Sequence, residues 1–201
     1  MNTREFWVET ARCAVDNRGA QQKPDELADF LGLLADRQPK VILEIGSCAG
    51  GTLWAWSHLS AHVIGVDDRA TAPALTVPLG VHAIVGDSHQ GQTVGRVLSR
   101  LEELGVSDAL VDVLFIDGDH SYGGVRRDYE LWSPLVRPGG IIAFHDVLTH
   151  PPQYGVEVDK LWAEITTRQW GDNGWLPRLW RRWQVIAHEP LDWGGLGILY
   201  V

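Results

Sequence analysis

The sequence is short of sulfur and of positive charge. Two cysteines, Cys13 and Cys48, occur in 201 residues, and they form no Cys-x-x-Cys pair. That excludes a disulfide framework and a zinc pattern, and leaves two reduced thiols. Lysine and arginine number 17 against 26 acidic residues, a net charge of −9. Phosphate backbones reward basic surfaces, so no nucleic-acid partner is expected and a small-molecule partner is. Long apolar runs are also missing. Arg4, Glu5, Glu9 and Arg12 interrupt the first segment, so neither a signal peptide nor a membrane span is expected, and the expected location is cytoplasmic. There is no Gly-Lys-Ser/Thr, which excludes a phosphate-binding P-loop. No repeat, low-complexity tract or linker interrupts the chain, and its length suits a single domain over 1–201.

What is present is an ordinary cored composition, 45% hydrophobic and 21% charged. Leu27, Phe30, Leu31 and Leu34 lie on one helical face of 25–39, which Pro39 ends. Short apolar runs at 40–46, 62–68, 81–87, 111–117 and 138–146 read as buried strands. Helices are predicted between them over 51–60, 93–104 and 125–136. Continuously apolar strands alternating with helices of this length predict βαβ units. The fold class is therefore α/β, a Rossmann-like, doubly wound, mostly parallel sheet with helices on both faces. An N-terminal helical segment (1–39) precedes a core (40–147). A Trp-rich segment (148–201) follows, with a helix from "VDKLWAEITTRQW" and strands at 183–189 and 196–201, the last joined to the sheet by a hairpin. "HPPQYG" (150–155) is a loop leaving the sheet.

In an open parallel sheet, ligands bind beyond the carboxyl ends of the strands. Here those ends read "EIGSCAGG", Asp67–Asp68, Gly86–Asp87–Ser88, "DGDH" (117–120) and His145–Asp146. Each carries an acid, or glycines beside one. The glycine loop departs from the dinucleotide fingerprint, because Cys48 stands where a glycine lets the backbone approach a pyrophosphate; this argues against NAD. Asp67, about 20 residues past the glycines, is placed to accept from ribose hydroxyls, and Asp87 from an adenine amino group. Together they describe an adenosine site without a phosphate cradle.

The stretches "VILEIGSCAGGT", "VIGVDD", "IVGDS" and "VDVLFIDGDHSYGGVRRDYELWSPLVRPGGIIAFHDV" together resemble class I S-adenosylmethionine-dependent methyltransferases. The resemblance covers roughly residues 20–147. It is nearest to the metal-dependent O-methyltransferases that modify macrolide sugars, and extends to the cephalosporin-hydroxylase-related group. It implies a seven-stranded sheet whose last strand is antiparallel to the rest. It implies S-adenosyl-L-methionine bound along Glu44, Gly46, Ser47, Gly50, Gly51 and Thr52. Glu44 would meet the methionyl amino group, Asp67 and Asp68 the ribose, and Asp87 and Ser88 the adenine, with Asp117 close by. The segment "QQKPDEL" (21–27) resembles a piece of such proteins that lies near the cofactor and helps close the site.

Acids at adjacent strand ends suit a hard divalent cation, which orients a substrate hydroxyl and lowers its pKa; a nearby imidazole can then take the proton. "FIDGDH" supplies Asp117 as ligand and His120 as base, the two roles of the Asp-x-x-His arrangement in the sugar O-methyltransferases. Asp146 is a second ligand. His145, where those relatives often carry an acid, makes a mixed N/O site and shifts the expected metal from Mg²⁺ toward Mn²⁺, Fe²⁺ or Zn²⁺. Asp119 and Ser121 read as caps of the following helix. The expected activity is metal-assisted methyl transfer to a hydroxylated small molecule, a sugar or glycosylated natural product. Two alternatives stay open: a metal-independent enzyme in which His120 or His145 acts alone, and a non-catalytic adenosyl-ligand binder. The basic, aromatic stretch at 176–184 reads as a packed edge or a dimer contact. So short a chain leaves little room for a lid, which makes a second copy, in a homo-oligomer, a candidate to complete the pocket.

Overall fold

The structure, a computed structural model, describes residues 3–69, 78–167 and 180–201. Two helices come first, α1 (Thr3–Arg18) and α2 (Pro24–Ala35). Pro24 opens α2, where a missing N–H costs nothing. Next come β1 (Val41–Ile45), α3 (Gly51–Trp56), β2 (His62–Asp67), β3 (Val81–Val85), α4 (Gly91–Glu103) and β4 (Val111–Ile116). The chain continues through α5 (Tyr122–Trp132), β5 (Val136–Phe144), α6 (Val158–Thr167), β6 (Arg182–Ile186) and β7 (Leu196–Tyr200). The sheet has seven strands in the order β3-β2-β1-β4-β5-β7-β6. The first five pair in parallel, and β7 runs antiparallel to both its neighbours. From β1 the chain winds outward to β2 and β3, then returns to β4 on the other side. That reversal opens a crevice at the carboxyl ends of β1 and β4.

The pleat divides the interior into two cores. Leu43, Ile45, Leu114, Ile142 and Phe144 pack with α4, α5 and α6 through Val97, Tyr129 and Leu161. Ile42, Phe115, Ile141 and Ala143 face the other way, onto Trp7, Phe30, Leu31 and Trp56 of α1, α2 and α3. Side chains alternate along a strand, so Glu44 goes with Ile42, toward α3 and away from the cores of α4–α6. This matters for the site.

Several boundaries differ from the sequence expectations for local reasons. α3 stops at Trp56 rather than at residue 60. The Ser60 hydroxyl donates to the carbonyls of Lys40 and His62, which ties the chain into the start of β2. α5 begins at Tyr122, where the Ser121 hydroxyl accepts the Gly124 N–H at 3.1 Å. It ends at Trp132, because Pro134 converts the next turn to a 3₁₀ helix and Val136 already pairs with Val111. β6 is shorter than 183–189. The last three residues of the helix predicted from "VDKLWAEITTRQW", and residues 176–179 of the basic aromatic stretch, lie outside the described residues. The rest of that stretch packs on the sheet edge: the Arg182 guanidinium lies 4.1 Å over the Tyr200 ring, and Trp183 meets Trp162 edge-on. Among the described residues, no helix is long and apolar enough to cross a membrane.

Candidate active site

A cavity of about 980 Å³ opens where the parallel strands end. Gly46, Ser47, Gly51, Thr52, Asp67 and Asp68 line one flank, and Asp87 and Ser88 continue it. Asp117, His120, His145 and Asp146 line the other. These are the residues the sequence singled out, less two. Gly50 caps α3 in a left-handed conformation behind the wall. Glu44 is wholly buried, accepting the Thr52 hydroxyl at 2.5 Å and the Trp56 indole N–H at 3.0 Å. Both Glu44 oxygens are thus engaged by α3. The pleat turns Glu44 beneath α3, where it anchors that helix. Burial pushes its pKa up to about 8, against the Thr52 and Trp56 hydrogen bonds, which pull it down.

The first flank is held by backbone. Gly46 has φ +88°, and a Cβ there would sit 2.1 Å from the Asp117 carbonyl oxygen, so only glycine lets β1 and β4 end this close together. Cys48 takes a left-handed conformation (φ +43°) although it is not glycine. Its N–H then donates to Asp67 Oδ2 at 2.7 Å, while Asp67 Oδ1 accepts the Arg69 N–H at 3.0 Å. Each Asp67 oxygen keeps a free lone pair. Gly51 serves a different end. A Cβ on it would lie 2.4 Å from the Ala20 nitrogen, so its bare backbone lets residues 18–20 pack onto the loop. Asp87 accepts the N–H of His89 at 2.8 Å. His89 also lines the cavity, with its Nε2 3.4 Å from buried Asp128. Neither residue stood out in the sequence.

The second flank is a network of side chains. Asp117 Oδ1 meets His120 Nε2 at 3.0 Å and His145 Nδ1 at 3.1 Å. His145 Nδ1 also lies 3.3 Å from Asp146 Oδ1, and His120 Nδ1 lies 3.4 Å from Asp146 Oδ2. Burial alone would raise the Asp117 pKa, but the charge of His145 and the hydrogen bonds of both imidazoles outweigh it and hold the carboxyl at about 2. Burial alone would lower His145, and the Asp117 charge reverses that, so the two form an ion pair. His120 is also raised: its burial is outweighed by its hydrogen bond to Asp117 and that residue's charge. Asp146 adopts φ +62°, and His150, four residues on, brings its Nε2 within 3.1 Å of Asp146 Oδ1.

Asp117, His120 and Asp146 offer ligand atoms that all lie within 4.8 Å of one another. Atoms bound at roughly 2.0–2.2 Å of one ion stand up to ~4.4 Å apart, so a small closing movement fits this trio to a divalent cation. His145 stands outside the trio. It was expected as a ligand, but its Nδ1 lies against both carboxylates and its Nε2 is buried without a hydrogen-bond partner. The trio uses His120 in its place.

The rim comes from distant parts of the chain. Lys23 is almost fully buried and donates to the carbonyls of His188 and Pro190. Glu26, also buried, accepts the N–H groups of His188 and Gly195, both at 3.0 Å. The connection they hold carries Asp192 and Trp193 to the cavity, which Pro151 and Tyr154 also line.

Residues 43–147, just over half of the chain, match the methyltransferase domain family, and the chain belongs to that family. Its fold is that of the class I S-adenosylmethionine-dependent methyltransferases. The chain is similar to MycE, the methyltransferase from the mycinamycin biosynthetic pathway, in its complex with Mg, SAH and mycinamycin VI. The TM-score is 0.68 and the identity 16%, over 96% of this chain and 53% of that one. It is also similar to the O-methyltransferase TomG from Streptomyces achromogenes, involved in tomaymycin synthesis, in complex with SAM. There the TM-score is 0.61 and the identity 20%, over 100% of this chain and 90% of that one. At these identities the likeness establishes the fold. By sequence it is 33% identical over 87 residues to the uncharacterized protein y4gI of Sinorhizobium fredii (strain NBRC 101917 / NGR234), 42% of this chain and 9% of that protein. The chain thus spans a small part of that relative and about half of MycE.

Proposed function

We propose that this chain is a metal-assisted O-methyltransferase that methylates a hydroxyl of a small molecule, a sugar or a glycosylated natural product. One observation carries the reading: a cation-competent trio of Asp117, His120 and Asp146 shares one cavity with the Asp67 and Asp87 carboxylates. When bound, S-adenosylmethionine supplies an electrophilic methyl group and a divalent cation lowers the pKa of an acceptor hydroxyl. Ser47 Oγ, buried in the cavity wall without a hydrogen-bond partner, is the kind of polar atom a bound cofactor satisfies.

The division of labour follows from access. Asp67 accepts from ribose hydroxyls, and Asp87 binds at the adenine end. Asp117 and Asp146 hold the cation, with His145 wedged behind them to keep the two carboxylates together. The His120 side chain is 34% exposed against 4% for His145, so His120 is the imidazole that reaches an acceptor. It serves as ligand or as the base that takes the hydroxyl proton. Tyr154 and Trp193 flank the mouth, where aromatic faces suit the apolar face of a sugar ring. MycE, bound to mycinamycin VI, and TomG, an O-methyltransferase, agree with an acceptor of this kind.

The test is transfer of labelled methyl from S-adenosylmethionine to a panel of sugars, glycosides and phenols, with Mg²⁺, Mn²⁺ or EDTA. Cation-dependent labelling of a hydroxyl is expected. Labelling unchanged by EDTA would replace this reading with a metal-independent enzyme. Cofactor binding without transfer to any acceptor would make the chain a binding module.

A further inference from the structure

Gln22 sits just before α2 and lines the cavity, yet it is 4% exposed. Its Nε2 donates to Asp117 Oδ2 at 2.6 Å. The orientation of the amide is fixed by chemistry. An ionised carboxylate only accepts, so the NH₂ must face Asp117 and the carbonyl oxygen must be the other atom. That oxygen, Oε1, is buried and has no hydrogen-bond partner. A buried acceptor left unpaired is costly, and in a native protein it calls for an explanation.

The position of Gln22 says which donor is missing. His120 and His145 both bind Asp117 through Oδ1, whereas Gln22 takes Oδ2, on the side of the glycine loop. The residues before it follow that loop closely: Gln21 Nε2 lies 3.8 Å from Cys48 Sγ, and the backbone of 18–20 fills the space that Gly51 leaves. The loop is where the amino-acid end of an S-adenosyl ligand would lie.

On the reading that this cavity binds such a ligand, we infer that Gln22 recognises its amino group. The amide carbonyl accepts from the ammonium, and the amide NH₂ holds Asp117 alongside as the opposite charge. The amide is one rigid plane, so with Nε2 kept on Asp117 the Oε1 atom meets the ammonium where it stands, at the cavity that the residue already lines. Gln22 thereby links the cofactor to the Asp117 carboxylate, a contact spanning 95 residues of sequence. It is a positioning residue for Asp117 as well as a binding residue.

The experiment compares two probes by calorimetry: S-adenosylhomocysteine, and 5′-methylthioadenosine, which lacks the amino-acid end. Gln22→Leu keeps the bulk and removes both polar atoms. A hydrogen bond to a charged group is worth about tenfold or more in affinity. The variant should therefore lose about tenfold or more for S-adenosylhomocysteine and keep 5′-methylthioadenosine within twofold. Equal losses for both probes, or no loss for either, overturn the inference while leaving the adenosyl site standing. Wild-type protein that binds neither probe overturns the cofactor reading itself, and this inference with it. A crystal structure of the wild-type protein with S-adenosylhomocysteine needs no variant. The Gln22 carbonyl oxygen within 3.2 Å, about the limit of a good N–H···O bond, of the amino nitrogen supports the assignment, and a Gln22 turned to solvent or to a metal refutes it.

Discussion

The two flanks of the cavity use carboxylates in opposite ways. On the side of β1 to β3, Asp67 and Asp87 stand apart, and each is oriented by backbone N–H groups only two to nineteen residues away. On the side of β4 and β5, Asp117 and Asp146 stand together and are oriented by imidazoles and an amide, from as far as 95 residues away. A carboxylate fixed by backbone is a steady acceptor for neutral hydroxyls. Two carboxylates brought this close repel each other unless positive charge lies between them, and His145 provides it. The first flank is built to hold a ligand still. The second is built to concentrate charge on a small volume.

The contrast can be broken most severely at Asp146. In Asp146→Asn, methyl transfer should fall by at least ~10²-fold, the loss expected when a metal ligand goes. S-adenosylhomocysteine affinity should stay within about threefold, since Asp146 is not among the residues proposed to contact that ligand. A parallel loss of affinity by calorimetry would show that the flanks are not separable. Asp67→Asn is the converse. It should weaken S-adenosylhomocysteine by about ten- to a hundredfold and leave Mn²⁺ binding, followed by electron paramagnetic resonance, unchanged.

Glu44 sharpens the comparison from beneath. Its folded pKa, about 8, lies above its unfolded value of about 4.5. The native state therefore holds the proton more tightly, and its contribution to stability is full below pH 4.5 and is lost as the pH rises through 8. Glu44→Gln, which mimics the protonated acid, should flatten that decline in urea titrations between pH 5 and 8. A slope as steep as that of the wild type would mean that Glu44 is ionised in the fold. The smallest effect belongs to Ser121→Ala, which removes the cap of α5 and should cost about 1 kcal/mol of stability. It should leave metal binding intact, because the imidazole of His120 is held by Asp117 rather than by the cap.

The sheet and the first flank were readable because both are local. A mostly apolar run such as "VILEI" announces a buried parallel strand, whereas "VHAIV", also expected to be buried, is the edge strand β3 and has no buried residue; the residue after each parallel strand falls at the cavity by topology alone. That Glu44 turns under α3 was not legible, because a strand end tells nothing of the pleat until its neighbours are known. The second flank was legible in its members but not in their arrangement. Asp117, His120 and Asp146 lay in plain motifs. That His120 rather than His145 completes the trio depends on side-chain positions that the motifs do not state. His150 carried a signal, its spacing of four from Asp146. Gln22, Lys23 and Glu26 carried none beyond their place in the 21–27 segment, since their partners are 95 to 169 residues away.

The antiparallel strand β7 also governs how the sheet is completed. Among the described residues β6 pairs with β7 alone, and the two form a hairpin local in sequence. Before docking, β5 exposes the backbone of Ile141, Ile142, Ala143 and Phe144 as an open apolar edge, the kind of surface on which chains aggregate. A hairpin forms within microseconds, far faster than long-range parallel pairing. The edge of β5 is thus covered by a piece whose own pairing is local, closed by the nine-residue connection between Ile186 and Leu196.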